Sequence, residues 1–286
     1  MSAAEVQEPA PARRRAPRRR PATLVVGVAL LAAVAAVALL SLVWLPYDLA
    51  DTSGGRLEGP SAAHWLGTDK LGRDLLSQTI VGTRIALGVG LGATAVALVV
   101  GVSVGVAAAF TPAWLDDVVS SALDVLIAFP TLLLAMLVVA AQGASTWSVV
   151  LAIGLGASAI AARYGRILTT RVLAQQYVVA ARTSGTGTAG IVVRHVLPNI
   201  WPSLVVNVAV LFGVAVLAEA SLSYLGLGVP PPNASLGRLL QEAQGTVATA
   251  PWGALAPGLV VMVIVLGANF LADGLRERFD PTRRSR

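Results

Sequence analysis

The sequence contains no cysteine and few charged residues, and both shortages exclude whole classes of site and of protein. Without cysteine the chain can form neither a disulfide nor a thiolate metal site, and two histidines are too few for a metal site built on several imidazoles. Charged residues make up only 13% of the 286 residues, whereas 56% are hydrophobic. A water-soluble domain could not bury so much apolar surface, so the composition predicts a polytopic membrane protein.

Lysine is almost absent as well, since Lys70 is the only one. The residues around it lack the glycine spacing of a phosphate-binding loop, so we expect the chain neither to hydrolyse ATP nor to bind a cofactor of its own. The net charge of +6 comes from arginine clusters that border apolar runs. Such clusters are typical of membrane orientation, and we therefore expect no nucleic-acid partner.

Long apolar runs dominate what remains. A hydrocarbon core about 30 Å thick needs roughly 20 helical residues. Six segments meet this requirement, namely residues 23–45, 85–110, 117–141, 147–163, 201–225 and 254–275. These apolar runs are uninterrupted, whereas apolar and polar residues alternate along the strands of a membrane β-barrel, so a barrel is excluded. The sequence therefore predicts an all-α polytopic membrane protein with six transmembrane helices.

Arginine placement predicts how these spans are oriented. Six arginines between residues 13 and 20 precede the first span, which predicts a cytoplasmic amino terminus. An even number of spans returns the carboxyl terminus to the same side. We expect a disordered basic tail over residues 1–22, a transmembrane domain over 23–275 and a cytoplasmic tail over 276–286. The alternative is a cleaved export signal, but the first apolar run, about 23 residues, exceeds a usual signal core.

The connection between the fourth and fifth spans, residues 164–200, is long and polar. Within it lies a segment that we call the elbow, residues 174–198. Its sequence predicts two short helices, Tyr177–Ser184 and Ala189–Val196, which are joined by a turn, and the second is stopped by Pro198. From these residues alone, the elbow could be an amphipathic helix on the membrane surface. Its lipid-facing arginines would then be Arg171, Arg182 and Arg194.

The spacing of small and apolar residues in the elbow resembles the coupling motif of ABC-importer permeases. The matching residues are Ala180, Ala181, Gly185, Leu197 and Pro198. This resemblance implies a cytoplasmic coupling helix that docks on an ATPase subunit, with Arg194 also contributing to the docking surface. Val179 stands where the family usually has glutamate, which removes one expected polar contact.

Three further stretches resemble the C-type permease of dipeptide, oligopeptide and nickel importers. They are residues 64–87, 217–232 and 272–281, so the resemblance covers about residues 23–281. One departure is Leu236-Gly237, where the family usually has Trp-Gly. The resemblance implies the type I ABC importer permease fold in the cell membrane of a prokaryote.

The same resemblance implies an ATP-driven importer of short peptides, in which this chain couples ATPase motion to alternating access. The implied partners are a second homologous permease, two ABC ATPase subunits that hold ATP and Mg, an extracytoplasmic substrate-binding protein and the lipid bilayer. Nickel chelates and glutathione-like peptides are alternative substrates in the same family. An ion-coupled secondary carrier is a competing class, but the six spans show no convincing duplication.

Charged residues at the outer side are candidates for a gate or a structural cap. Asp69, Arg73 and Asp74 precede the second span, where a carboxylate can cap the helix, and His64 is expected to pack in the same cap. Glu219 falls near the outer end of the fifth span. An acid at that depth should face protein or water and form a structural or gating hydrogen bond, with proton coupling as the alternative.

At the inner side, Asp124 is expected about 10 Å from the inner end of the third span, with Arg163 or Arg166 as its structural partner. Pro130 should kink the same span because it removes a backbone hydrogen bond. In the second span, four glycines at four-residue intervals predict close approach of another helix, and they are Gly88, Gly92, Gly101 and Gly105.

Overall fold

The computed structural model describes residues 22–230 and 233–279. These residues form helices and loops, with no β-strand among them beyond an isolated bridge between Thr68 and Asp74. The α-helices in chain order are α1 (Ala22–Leu40), α2 (Leu75–Ala108), α3 (Ala113–Ala128), α4 (Thr131–Gln142), α5 (Thr146–Leu173), α6 (Gln176–Thr183), α7 (Thr188–Ile191), α8 (Leu197–Tyr224), α9 (Leu236–Ala243) and α10 (Trp252–Phe279). Apart from Ala22, the predicted amino-terminal tail lies outside the described residues.

The all-α prediction and the number of spans are confirmed. In the described ranges, five helices are long and apolar enough to cross a bilayer: α1, α2, α5, α10 and a continuous helix from Thr188 to Tyr224. The bent pair α3–α4 makes a sixth. The last span continues to Phe279, so residues 276–279 of the predicted tail are helical.

The helix that contains the second span begins ten residues before the predicted span. α2 begins at Leu75 and not at residue 85, because Asp74 caps it and its first two turns are buried despite their polar side chains. These polar residues lower the hydropathy on which the sequence-based boundary depends, and they are Ser77, Gln78, Thr79 and Thr83.

Pro130 breaks the third span, which we had expected to be a single kinked helix. α3 ends at Ala128 and α4 begins at Thr131, with an angle of 86° between them. Phe129 has an extended backbone, as the residue before a proline usually does. Because Pro130 has no N–H to donate, the helical hydrogen bonds are not continued across this point.

The centre of the bundle is the close contact between α2 and α5. A Cβ at Gly101 would meet the Ser158 carbonyl oxygen, and one at Gly105 would meet the carbonyl oxygen of Ala162. The predicted close approach is therefore present at these two glycines. At Gly88 no described atom lies within 4 Å of such a Cβ, so that glycine does not pack against another of the helices described above.

The elbow and the segment before α2 lie at opposite ends of the bundle. The cap (residues 45–74) adjoins the start of α2, whereas the elbow packs near the end of α2, where Val106 and Val178 belong to the same buried cluster. The described ends, Ala22 and Phe279, both lie toward the elbow end, because Phe279 lines a pocket with Pro202 at the start of α8 and Leu24 packs against Gly274 of α10.

We predict that Gly105→Ala destabilises the bundle and that Gly88→Ala does not. Both changes add the same methyl group to α2, but only the one at position 105 meets a backbone carbonyl of α5. Overpacking of this kind costs about 1–3 kcal/mol. The thermal midpoint and yield of the purified protein measure the effect, and equal midpoints for the two variants would contradict this description of the α2–α5 contact.

Candidate coupling and gating sites

The connection between the fourth and fifth spans is shorter and more helical than predicted. α5 continues to Leu173, so the connection begins at residue 174 and not at 164. The first elbow helix, α6, matches the prediction within one residue at each end. Gly185 in the following turn has a φ of +87°, a conformation that favours glycine. The Thr186 N–H donates to the Ala181 carbonyl oxygen at 3.0 Å, which closes α6.

Pro198 does not stop the second elbow helix, contrary to the prediction. A π-helical turn, Val192–Val196, joins α7 directly to α8. The Leu197 N–H donates to the carbonyl oxygen of Val192, five residues earlier. Pro198 then falls in the first turn of α8, where a missing N–H is tolerated. The elbow is therefore continuous with a membrane-spanning helix.

Buried valine and isoleucine side chains anchor the elbow to the bundle. Val178, Ile191 and Val196 are fully or almost fully buried and form one cluster with Ile200 and Leu204 at the start of α8. Partly buried residues of α5 pack against the same cluster, among them Leu168 and Val172. These contacts fix the elbow to the ends of both α5 and α8.

The residues of the coupling motif lie mostly on the exposed side of the elbow. Ala180, Gly185, Leu197 and Pro198 are exposed, and so is Arg194, whereas Ala181 is half-buried. Val179, at the position of the family's glutamate, is 53% exposed. Most of these small and apolar side chains are thus accessible from outside the chain.

Sequence reasoning missed two apolar residues of this surface. Tyr177 and Val193 are both exposed, and Val193 lies four residues before Leu197. The i, i+4 spacing of Val193 and Leu197 is the signal that would have found the second of them. Arg182, one of the three arginines of the membrane-surface alternative, lies over the Phe110 ring at 5.7 Å.

At the opposite end, Asp74 caps α2 as predicted. Its Oδ2 accepts hydrogen bonds from the Ser77 N–H at 2.7 Å and from the Ser77 hydroxyl at 2.8 Å. Its Oδ1 lies 3.0 Å from Nδ1 of the buried His64, whose ring lies 4.6 Å from that of Tyr47. His64 therefore does more than pack, since it also contacts the capping carboxylate.

Asp69 organises the turn before α2 and does not cap the helix itself. Its carboxylate accepts from the N–H groups of Leu71 and Arg73, from the Arg73 guanidinium and from the Gln78 amide. Burial would raise the pKa of Asp69, but these hydrogen bonds outweigh it and hold the pKa below its usual value. Asp69 is accordingly ionised at neutral pH.

Arg73 connects the cap to α9 through a contact that the sequence did not predict. Its Nη2 lies 3.2 Å from the Glu242 carboxylate, which also accepts from Arg238 Nε at 2.8 Å. Asp69, Arg73, Glu242 and Arg238 thus alternate in charge across the cap–α9 contact. Because 169 residues separate Arg73 from Glu242, no local pattern could have paired them.

Glu219 is fully buried near the cap end of α8. One carboxylate oxygen accepts from the Ser223 hydroxyl at 2.7 Å, and the other has no hydrogen-bond partner in the part of the chain that the structure describes. The next residue, Ala220, contacts the backbone of α9 at Gly237. Glu219 therefore lies beside the α8–α9 contact and not on an open surface.

Asp124 pairs with Arg163, one of its two predicted partners, at 3.0 Å. The other, Arg166, binds Asp116 near the start of α3. Both ion pairs join α3 to α5. Across the described ranges, no group of three or more histidine, cysteine, aspartate or glutamate side chains is arranged to hold a metal ion.

This helical bundle, with a helical elbow fixed at one end, defines a polytopic membrane permease. Residues 101–285 match the family described as the binding-protein-dependent transport system inner membrane component, and the chain belongs to this family of ABC-importer permeases. The dipeptide transport system permease protein of Alkalihalophilus pseudofirmus is 34% identical over 265 residues, 91% of this chain and 86% of the relative.

Two glutathione transport system permease proteins are also similar. That of Pectobacterium atrosepticum is 38% identical over 228 residues, 80% of this chain and 76% of the relative. That of Escherichia coli O157:H7 is 37% identical over 223 residues, 78% of this chain and 74% of the relative. The chain is accordingly a multi-pass membrane permease subunit.

We predict that Val178→Ala weakens the attachment of the elbow, whereas Val179→Ala does not. Val178 is completely buried, and removing its two methyl groups costs about 2 kcal/mol in lost burial and cavity formation. Val179 is exposed, so the same truncation should change stability by less than about 0.5 kcal/mol. Limited proteolysis within residues 174–198 reports the difference, and equal cleavage rates would argue against the anchor.

We predict that Asp69→Asn loosens the cap, by about 2 kcal/mol for the loss of hydrogen bonds to a charged acceptor. Because the folded-state pKa is lowered, the contribution of Asp69 is present above the unfolded pKa and is lost as pH falls through the folded value, below about pH 4. Asp48→Asn is the control, since Asp48 is exposed and its carboxylate accepts a hydrogen bond from the nearby Ala50 N–H at 2.8 Å. Hydrogen exchange of residues 69–78 measures the loosening, and protection unchanged in Asp69→Asn would refute it.

Proposed function

We propose that this chain is a permease subunit of an ATP-driven importer of short peptides. We further propose that a partner ATPase docks on the elbow and transmits its conformational change to the bundle there. The observation that carries the proposal is the elbow itself, whose motif residues are exposed while Val178, Ile191 and Val196 are buried against the bundle. A segment that is accessible on one side and rigidly attached on the other can be pushed without being detached.

The continuity of the elbow with α8 provides the lever. One helix runs from Thr188 to Tyr224, 37 residues or about 55 Å at 1.5 Å per residue. A displacement at the elbow is therefore carried along the bundle to Glu219 and the α8–α9 contact. α9 is in turn joined to the cap by the Arg73–Glu242 pair. This path links the elbow to the opposite side of the membrane.

The proposal includes a second homologous permease, two ABC ATPase subunits and an extracytoplasmic substrate-binding protein. ATP and Mg bind to the ATPase subunits, and this chain holds no cofactor. The elbow and both ends of the chain face the cytoplasm, as the arginines before α1 favour. The cap then faces the substrate-binding protein.

Peptides are the substrates that the relatives favour, because their names specify dipeptide and glutathione transport. Glutathione-like peptides are therefore the second candidate, and nickel chelates a third. A reconstituted complex with its binding protein should take up radiolabelled dipeptide only when ATP is present. Uptake driven by an ion gradient without ATP would instead identify a secondary carrier.

We predict that Gly185→Val uncouples ATP hydrolysis from uptake. Valine is strained at a φ of +87°, so the turn must change shape and displace the motif residues. Gly187→Val is the control, because Gly187 is exposed but has an extended backbone that valine adopts readily. Ala181→Arg should uncouple as well, by inserting a long charged side chain into the motif.

Uptake and ATPase activity are measured in the same reconstituted preparations. We expect uptake to fall at least about tenfold in Gly185→Val and Ala181→Arg, with each variant still in the membrane. Normal uptake in both, with a full complement of ATPase subunits, would overturn the coupling function of the elbow.

A further inference from the structure

The Asp124–Arg163 ion pair is unusually open for its position. Asp124 lies in α3 and Arg163 in α5, both within the membrane-crossing part of the bundle. Nevertheless the two side chains are 60% and 55% exposed. Within α3 as the structure describes it, Leu123 alone is buried. One face of α3 therefore carries charge and is largely uncovered by the residues that the structure describes.

The pair lies inside the helix and not at its end. Trp114, at the start of α3, is 69% exposed, as is typical of an aromatic residue at the membrane surface. Asp124 follows ten residues later, about 15 Å along the helix. Charged groups within a membrane-crossing helix face protein or a water-filled space and not the hydrocarbon.

The pair is not required to hold α3 in place. Asp116 and Arg166 already join the start of α3 to α5, and their side chains are only about a quarter exposed. Leu123 packs with Ala159 and Ala162 of α5, on the side of α3 that faces α5. Because α3 is fixed by these contacts, Asp124 and Arg163 are available to exchange partners.

The open face continues along α3 as a narrow row of polar and small residues. Asp117, Ser121, Asp124 and Ala128 are all exposed, and their spacing of four, three and four residues places them on one side of the helix. The helix then ends at the Pro130 break. The row is polar where a lipid-facing helix would be apolar, so it fits the wall of an aqueous path.

We propose that Asp124 and Arg163 form a station in the solute path that binds the two charged ends of a peptide. The carboxylate of Asp124 accepts the peptide ammonium group, and the Arg163 guanidinium binds the peptide carboxylate in its planar, two-donor geometry. An exposed ion pair contributes little to stability, so a zwitterionic solute can break it. The ammonium group of the solute then takes the place of Arg163 beside Asp124, and its carboxylate takes the place of Asp124 beside Arg163. This inference rests on the peptide-import function proposed above.

Accessibility to a thiol reagent tests whether the face is wet. The chain has no cysteine, so Asp124→Cys introduces a single target in this chain and no native cysteine has to be replaced first. Val28→Cys is the matched control, because Val28 lies inside α1 and is 50% exposed among apolar neighbours. In the reconstituted complex we expect a charged, membrane-impermeant methanethiosulfonate to modify position 124 at least about tenfold faster than position 28. Equal rates would overturn the aqueous path, whatever the complex transports.

Substrate dependence tests the station itself. Asp124→Asn and Arg163→Gln should each raise the KM for a zwitterionic dipeptide about tenfold, with kcat and ATPase activity little changed, because only the binding of a charged end is lost. A dipeptide with blocked ends should be insensitive to both variants. A loss of kcat with an unchanged KM would show a purely structural contact and overturn the station. If the unaltered complex takes up no peptide, the proposed substrate fails, while the labelling result still decides whether the path is aqueous.

Discussion

The close contact between α2 and α5 is the constraint on which the rest of the molecule depends. Gly101 and Gly105 allow the two backbones to approach where any larger residue would meet a carbonyl oxygen. In a bilayer, where lipid is as apolar as the helices, such close packing is a principal source of association. The same two helices end beneath the elbow, so this contact also sets the position of the proposed coupling surface.

Two acidic residues of the bundle have similar side chains but different surroundings. Glu219 is enclosed by protein beside the α8–α9 contact, with Ser223 as its donor. Asp124 has a charged partner and an open surface. The first arrangement suits a fixed element that transmits movement between helices. The second suits a group that changes partners. Sequence alone placed both in membrane spans and could not distinguish these environments.

The sequence-based predictions are accurate where the interacting residues are close together in the sequence, and they fail where the residues are far apart in it. The Asp74 cap was predictable because it joins two residues only three positions apart, and the elbow because its motif is local. The Arg73–Glu242 contact was not, since it joins segments that only the fold brings together. The consequences of Pro130 and Pro198 also depended on context. The first breaks a poorly buried helix, whereas a π turn accommodates the second.

The π turn at Val192–Val196 also fixes the rotational phase of the elbow relative to α8. A π turn holds one residue more than the α-helical turn it replaces, and one residue corresponds to about 100° of rotation around the axis. Val193 and Leu197 are therefore directed outward while Val196 and Ile200 remain in the core. Shortening this turn by a single residue would swing the accessible side chains away from their present direction without changing any of them.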